Sequence, residues 1–183
     1  MSDTEERILF EETEDLDGNY LLGETSQEIL LNNSTDHITL TDHMVSQAGS
    51  TIRIFTRDLD PRIYDRESFV SECKRVALRS QYCRIEILAF ESQRIIQRGH
   101  RMVDLARAVS SRIEIRRPDK EYEKHLQSFI TFDQKGYIYR AYADRFEGTA
   151  NYDDARETRQ LEKFFNEIWI RSHVDPEMRS LNI

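Results

Sequence analysis

The sequence has few of the residues that break a chain or cross-link it. Its 183 residues include six glycines, three prolines and two cysteines, Cys73 and Cys83. Two cysteines cannot form the disulfide framework of a small secreted domain, so we expect both to be reduced thiols. No apolar run approaches the ~20 residues that cross a bilayer, which excludes a membrane-spanning segment and argues against membrane insertion.

Signals for export and for metal binding are also missing. The N-terminal residues lack the apolar stretch of a secretory signal, so we expect a cytoplasmic protein. Asp36-His37 and Asp42-His43 stand six residues apart, which is not the i, i+4 spacing of a helical metal site. The segment around Gly99 lacks the Lys-Ser/Thr pair of a phosphate loop. We therefore expect no metal and no cofactor.

Acidic residues are concentrated at the N-terminus. Residues 1–35 hold ten acidic residues and one basic residue, Arg7, and contribute −9 to a net charge of −8, so the rest of the chain sums to +1. The composition predicts an acidic, partly disordered arm at 1–35 and a nearly neutral domain at 36–183. The arm either solubilises the protein or folds over a basic site and competes with an anionic ligand. Its apolar residues would let part of it dock as short extended segments.

Apolar periodicity predicts alternating helices and strands beyond residue 35. Helical spacing covers 36–48, 66–80, 92–109 and 154–172. The first helix has Thr39 or Thr41 as its expected cap. Strands are expected at 51–57, 83–90, 112–117, 128–132 and 137–140. The last two strands should form a hairpin. The alternation is typical of the α/β class and predicts a mixed, largely parallel sheet with helices on both faces.

The most specific pattern lies in residues 127–169. A strand ends at Asp133, a second strand follows, and a Gly-Thr-x-Asn turn at residues 148–151 precedes an amphipathic helix. This order resembles the C-terminal half of a phospholipase D-like domain, whose pattern is His-x-Lys, four residues, Asp, six residues, then Gly-Ser-x-Asn. The resemblance implies a phospholipase D-like half. Active members form a phosphohistidine and hold the phosphate oxygens with the lysine and the asparagine.

The catalytic pair of that pattern is out of register here. Counting back from Asp133 places the histidine at Leu126 and the lysine at Ser128, and the stretch before the Gly-Thr-x-Asn turn is eight residues longer. His125 and Gln127 stand one position away, and a one-residue shift on a strand reverses the face. His125 is thus either a histidine at a strand entrance or a surviving nucleophile. Active members need two facing motifs, so only a homodimer would assemble a full site.

Arginine is the abundant base, at 21 residues against five lysines. Its planar fork matches phosphate bidentately, and ligands of open α/β sheets bind outside the carboxyl ends of strands. We expect an anion site there, near the N-terminus of the last helix. The candidate ligand-binding residues are Arg57, Arg98, His100, Arg116, Arg140, Thr149 and Asn151. The alternative is that many of these arginines pair with acids, such as Glu114 or Asp104.

The chain beyond residue 35 also resembles a small family of uncharacterised bacterial domains with a phospholipase D-like fold. Those domains occur alone or fused behind an acetyltransferase domain. The similar segments are TIRIFTRDLDPRIYD, QRGHRMVDLAR, SSRIEIRRP, FEGTANYDD and FFNEIWIRS. The resemblance implies a bacterial, cytoplasmic protein with a non-catalytic role that forms a homodimer through the face that pairs two half-sites.

Three functional hypotheses follow from these patterns. The first is a degenerate, non-catalytic phospholipase D-like domain that binds an anionic ligand, either a phosphorylated metabolite or nucleic acid, in a regulatory role. The second is a dimeric phosphodiesterase that uses His125 as its nucleophile. The third is a protein–protein interaction module in which the acidic arm contacts the protein partner.

Overall fold

The structure is a computed structural model that describes residues 7–10 and 16–179. Its strands are β1 (Ile8–Leu9), β2 (Ile29–Leu31), β3 (Thr51–Thr56), β4 (Arg84–Ala89), β5 (Ile113–Arg117), β6 (Ser128–Phe132), β7 (Gly136–Arg140), β8 (Gly148–Asn151) and β9 (His173–Val174). Its helices are α1 (Leu16–Asn19), α2 (Ser34–Gln47), α3 (Pro61–Tyr64), α4 (Glu67–Arg79), α5 (Ser92–Arg98), α6 (Arg101–Ala108), α7 (Ala155–Trp169) and α8 (Pro176–Arg179). The described strands form one sheet in the order β1-β2-β8-β7-β6-β3-β4-β5-β9.

The sheet is mixed, and most of its pairs are antiparallel. β1 and β2, β3 and β4, and β4 and β5 pair in parallel. β2 with β8, β3 with β6, β5 with β9, β6 with β7, and β7 with β8 pair antiparallel. The predicted mixed α/β fold is confirmed, whereas the expected predominance of parallel pairs is wrong. The chain turns straight back after β6 and again after β7, and a strand that follows a short connection runs antiparallel to its neighbour.

Helices cover both faces of the sheet, as predicted. On one face, which we call the α2 face, α2, α4 and α6 bury their apolar sides against residues such as Ile54 and Ile87. On the other, the α7 face, Leu161 and Phe165 of α7 pack with Phe55 and its neighbours. Burying one such aromatic side chain contributes roughly 1.5–3 kcal/mol. No helix within the described ranges is long and apolar enough to cross a membrane.

Two predicted helix boundaries are wrong for local reasons. α2 begins at Ser34, where the side chain of Asn33 accepts a hydrogen bond from the backbone N–H of Asp36, so neither Thr39 nor Thr41 is the cap. The single helix expected over 92–109 is two helices. Gly99 interrupts it with a φ of +76°, a conformation that costs glycine little. The predicted β6–β7 hairpin is confirmed.

Part of the acidic N-terminal segment belongs to the sheet. β2 lies between β1 and β8, and its Ile29 and Leu31 are buried in the core. Tyr20 also packs into the core, where its ring lies 5.5 Å from that of Tyr152. Residues 1–6 and 11–15 of the arm lie outside the described residues. The domain boundary near residue 35 stays a prediction.

Candidate functional site

Asp133 anchors the turn between β6 and β7. Its carboxylate accepts hydrogen bonds from the backbone N–H groups of Gly49, Ser50 and Thr51 at 2.7, 2.8 and 2.9 Å, and from the Ser50 hydroxyl at 2.8 Å. Burial alone would raise the pKa of Asp133, but these hydrogen bonds outweigh it and lower the pKa. The acid of the family pattern therefore ties the hairpin to the start of β3.

The opposite end of the hairpin is where the catalytic groups of the family pattern would lie. Ser128, at the lysine position, pairs directly with Arg140 across β6 and β7. In the pattern six residues separate the acid from the glycine, so the glycine would fall at Arg140, after residues 134–139. The spacing along the chain assigns Ser128 and Arg140 to the lysine and glycine positions of the pattern. The strand pairing independently places these two residues opposite each other.

The Gly-Thr-x-Asn segment at residues 148–151 is not the turn that we expected. It forms β8, a strand paired on both sides with β2 and β7. Asn151 pairs with Tyr137, near the turn end of β7, whereas Arg140 ends the same strand. The eight extra residues supply a loop at 141–147 and an additional strand, which moves Asn151 away from the Ser128 end of the hairpin.

Arg140 is buried on the α2 face, with 1% of its surface exposed. One terminal nitrogen donates to the Ser128 hydroxyl at 3.3 Å and the other to the carbonyl of Arg145 at 3.1 Å. Its Nε has no hydrogen-bond partner among the described residues. The described part of the chain also places no carboxylate within 4.0 Å of the guanidinium. A buried guanidinium without an ion pair is costly, because its charge is desolvated and incompletely compensated.

Three buried titratable side chains lie around Arg140, and with Ser128 they form what we call the Arg140 cluster. Burial, and then the charge of Arg140, lowers the pKa of His37 to about 3. Burial raises the pKa of Tyr64 to about 12, against the opposing charge of Arg140 and a hydrogen bond with Ser128. For Asp60, burial would raise the pKa, but hydrogen bonds from Arg62, aided by the charge of Arg140, lower it. The cluster is therefore polar, and its two ionised groups, Arg140 and Asp60, carry opposite charges without forming an ion pair.

The loop at 141–147 covers the Arg140 cluster. The ring of Phe146 lies between two guanidinium groups, 5.3 Å from that of Arg140 and 4.4 Å from that of Arg62. Its edge also meets the His37 ring, with centroids 6.2 Å apart. The backbone N–H of Ala143 donates to the carbonyl of Leu126 at 2.7 Å. The cluster is therefore closed from solvent by one aromatic side chain and its loop.

The other arginines selected from the sequence pair with acids. Arg57 lies 3.2 Å from Glu91, and Arg98 lies 3.8 Å from Asp58. These contacts match the alternative in which strand-end arginines neutralise neighbouring carboxylates.

Arg116 has the most complete set of partners of the selected surface arginines. It contacts Glu114 at 2.8 Å, donates to the carbonyl of Trp169 at 3.0 Å and stacks over the Trp169 ring at 4.2 Å. Arg116 lies on the α7 face with Trp169, and Arg140 lies on the α2 face. The structure does not bring these two arginines together.

His100 and His125 have packing environments of their own. His100 caps α6 by accepting from the backbone N–H of Met102 at 3.1 Å, and its other ring nitrogen lies 3.0 Å from the carbonyl of Leu59. Burial lowers the pKa of His100. His125 precedes β6, and its ring lies 5.0 Å from that of Phe164 on the α7 face. The structure therefore separates His125 from Ser128 and Arg140.

Thr149 and Asn151 line a different feature, an open cleft of about 840 Å³ on the α7 face. The Asn151 side chain accepts hydrogen bonds from the backbone N–H groups of Gln27 and Asp153. More acids than bases line this cleft: they are Glu28, Asp154 and Glu157, against Arg7 and Arg156. The cleft therefore offers no net positive charge to an anion.

Sequence reasoning selected Arg140 but missed most of its surroundings. His37 drew attention only through a metal-ligand spacing, and Tyr64 and Phe146 were not selected. The signal that would have found the centre is the six-residue count from Asp133 to Arg140. The Gly-Thr-x-Asn segment begins eight residues further along, at Gly148, and resembles the pattern more closely than the residues around Arg140 do.

Comparisons with known proteins agree with this fold. A family model described as "Domain of unknown function (DUF7931)" matches residues 33–181. Nuc from Salmonella typhimurium, a phospholipase D family member, is similar over 84% of this chain and 100% of its own, with a TM-score of 0.58 and 14% identity. NucT from Helicobacter pylori is similar over 81% of this chain and 99% of its own, with a TM-score of 0.57 and 12% identity.

A DNA-binding protein shares the fold as well. TrmBL2, an archaeal chromatin protein with a novel mode of DNA binding, has a TM-score of 0.60 and 14% identity, over 81% of this chain. The chain spans 54% of TrmBL2. No curated protein sequence matches the chain significantly. At these identities the structural similarities establish a phospholipase D-like fold.

Proposed function

This chain belongs to the DUF7931 family, and from that premise we propose a non-catalytic phospholipase D-like domain that recognises a phosphate-bearing ligand in a regulatory role. The observation that carries the proposal is the buried guanidinium of Arg140. It stands beside Ser128 at the position of the family's catalytic groups and has no ion pair in the described part of the chain.

The same position lacks an activated nucleophile. The family pattern places Leu126 where the histidine would be. The Ser128 hydroxyl donates to the carbonyl of Phe55 at 3.1 Å, so its proton is not directed to a base. A weak nucleophile needs an adjacent base or a lowered pKa to form a covalent intermediate. We therefore place the domain among non-catalytic members of its fold.

The buried, incompletely hydrogen-bonded guanidinium of Arg140 favours an anion. A phosphate oxygen would supply the acceptor that the Nε of Arg140 lacks and a negative charge in direct contact with the guanidinium, which Asp60 does not provide. The hydroxyls of Ser128 and Tyr64 lie in the same cluster. Each would exchange its present hydrogen bond, Ser128 with the Phe55 carbonyl and Tyr64 with Ser128, for one to a phosphate oxygen. Guanidinium and hydroxyl donors together are suited to a tetrahedral oxyanion.

A ligand titration of the full chain tests the proposal. Inorganic phosphate, a nucleoside monophosphate, a sugar phosphate and single-stranded DNA would be titrated against the wild type and the Arg140→Met variant by calorimetry. We expect at least one probe to bind, and Arg140→Met to weaken it by roughly tenfold or more, since charge-assisted hydrogen bonds are lost. Arg57→Met is the matched control, because Arg57 is already paired. Equal affinity in the wild type and Arg140→Met, or no binding at all, would contradict the proposal.

Salt dependence distinguishes the two sources of phosphate. Nucleic acid contacts release counterions, so affinity would fall steeply as salt rises. A small phosphorylated metabolite would show a shallower dependence. The DNA-binding protein TrmBL2 shares the fold, which supports including DNA among the probes.

Retained catalysis is the competing function. A bis-aryl phosphodiester assay of the wild type and His125→Ala would detect it. We expect no turnover that depends on His125. Turnover abolished by His125→Ala would establish the dimeric phosphodiesterase instead.

We also infer a homodimer through the surface around the Arg140 cluster. Leu126 and Tyr142 are exposed there by 51% and 47%, next to the hydrogen bond that joins Ala143 to Leu126. A second copy of the chain would cover this apolar surface. Sedimentation analysis of the wild type and Leu126→Glu tests it: a wild-type dimer that dissociates on substitution supports the inference, and a wild-type monomer contradicts it.

The remaining proposals rest on the sequence resemblance. We retain a bacterial origin, a cytoplasmic location, relatives fused to acetyltransferase domains, and a protein partner for the acidic arm as an alternative role. A pull-down with the full chain and with a charge-neutralised arm tests the last of these. Capture that is independent of the arm's charge would count against that role.

A further inference from the structure

The loop at residues 141–147 is attached to the body by few contacts. The carbonyl of Arg145 accepts from Arg140, and the backbone N–H of Ala143 donates to Leu126. Phe146 is half-buried and is the apolar side chain of the loop that packs against the core. Most other residues of the loop are exposed. A segment with few buried contacts opens at low free-energy cost compared with the strands that flank it.

We infer that this loop is a lid over the Arg140 cluster, closed by Phe146, and that a phosphate-bearing ligand binds by displacing it. The inference rests on the proposed function and adds the regulation of the same site.

The contacts of Arg140 indicate what the ligand would replace. In the closed lid the Arg145 carbonyl, a neutral acceptor, holds a terminal nitrogen of Arg140 at 3.1 Å, while Nε is left without an acceptor. A phosphate oxygen is a charged acceptor and makes the stronger hydrogen bond with a guanidinium. The carbonyl is therefore a weak competitor for the same donors, and exchange of one for the other releases the loop.

Phe146 is the closing group because of its position between two cations. Its ring contacts the guanidinium groups of Arg140 on the inside and Arg62 on the outside, and cation–π contacts stabilise it in place. Arg62 is fixed by Asp60 through hydrogen bonds of 3.1 and 2.9 Å. The lid is thus held from outside by a residue that does not belong to the phosphate-binding donors.

Two variants loosen the lid without removing a phosphate donor. Phe146→Ala removes the closing ring. Arg62→Lys keeps the positive charge but loses the planar group that stacks on Phe146. The apparent affinity equals the affinity of the open state multiplied by the fraction of molecules in which the lid is open. Both variants raise that fraction, so both should bind phosphate more tightly. We expect roughly tenfold tighter binding for Phe146→Ala and a few-fold for Arg62→Lys.

The test is a titration of inorganic phosphate against both variants, the wild type and the double variant Phe146→Ala, Arg140→Met. Hydrogen exchange of residues 141–147 would be measured with and without phosphate, and faster exchange in the bound state is expected. Unchanged or weaker binding in both lid variants, with Arg140 still required, would overturn the lid and leave the proposed function standing. If Phe146→Ala and the double variant Phe146→Ala, Arg140→Met bind phosphate equally tightly, Arg140 is not needed, and that result would instead overturn the proposed function.

Discussion

The two ends of the β6–β7 hairpin show opposite outcomes for one sequence pattern. At the turn end, Asp133 keeps its place in the pattern and its carboxylate accepts hydrogen bonds from residues 49–51. At the other end, Ser128 and Arg140 face each other where the pattern has catalytic and phosphate-binding groups. Asp133, which holds the hairpin to β3, matches the pattern. Ser128 and Arg140 stand where the pattern has a lysine and a glycine.

The difference follows from what each substitution would cost the fold. Removing the Asp133 carboxylate would leave backbone donors at the start of β3 without their acceptor. At the other end, Arg140 is satisfied in part by Ser128 and by the Arg145 carbonyl of the added loop. A loop can supply such partners without disturbing the strands. Arg140 therefore finds partners in an added loop, whereas the Asp133 end of the hairpin depends on the carboxylate itself.

Replacing Asp133 should give the largest loss of stability. Asp133→Ala removes an acceptor of three backbone N–H groups and one hydroxyl, and it places alanine at a φ of +52°. We expect the free energy of unfolding to fall by about 4 kcal/mol. Asp133→Asn, which keeps one oxygen acceptor and tolerates this φ, should lose about half as much. Denaturant unfolding measures both, and equal stability of Asp133→Ala and the wild type would contradict the anchoring role.

A Cβ at Gly148 should cost slightly less. It would lie 2.2 Å from the carbonyl oxygen of Tyr139 and 3.1 Å from Cγ of Arg140, so β7 and β8 must separate. We expect Gly148→Ala to lower the free energy of unfolding by about 3 kcal/mol. Gly99→Ala is the matched control: nothing lies within 4 Å of its Cβ, and only its φ of +76° is strained. Its loss should be about 1 kcal/mol. Similar losses at the two glycines would argue against the tight β7–β8 contact.

His37 should make stability depend on pH. Its pKa falls from 6.5 to about 3 on folding, so the folded protein binds fewer protons than the unfolded chain between these values. Stability due to the neutral ring is present above 6.5 and is lost as the pH falls below it. Lowering the pH from about 7 to about 5 should cost the wild type about 2 kcal/mol more than His37→Gln. Denaturant unfolding at both pH values measures this, and parallel pH profiles would contradict the burial of His37 beside Arg140.

Arg57 should show the smallest effect. It is half-exposed and paired with Glu91, and exposed pairs contribute little because water screens them. Arg57→Ala should change the free energy of unfolding by under about 0.5 kcal/mol and leave phosphate affinity unchanged. A large loss of affinity would move the anion site from the Arg140 cluster to the ends of β3 and β4.

Most of the fold could be predicted because it follows from local patterns. The alternation of apolar residues located β3 to β7, and the helical spacing located α2, α4 and α7 within a few residues. β8 was missed because its four residues carry no apolar alternation and become a strand only by pairing with β2 and β7. The break at Gly99 was missed because its neighbours keep helical spacing on both sides.

The candidate site was harder to predict because its contacts are distant in sequence. Arg140 was selected as a strand-end arginine, but its burial depends on Phe146 and on the α2 face. Tyr64 and His37 join it from helices separated from β7 by many residues. Only the spacing from Asp133 to Arg140 in the family pattern predicts where this centre lies. The residues next to Arg140 in the sequence do not indicate that it lacks an ion pair.

The most direct test of the central claim is the NMR signal of the Arg140 side-chain Nε–H. This group is buried and lacks an acceptor among the described residues. Its resonance, assigned by its loss in Arg140→Lys, would be followed while inorganic phosphate is added to the ¹⁵N-labelled full chain. We predict a saturable shift of this resonance, because phosphate supplies the missing acceptor. A resonance that stays fixed throughout the phosphate titration would contradict an anion site at the position of the family's catalytic groups.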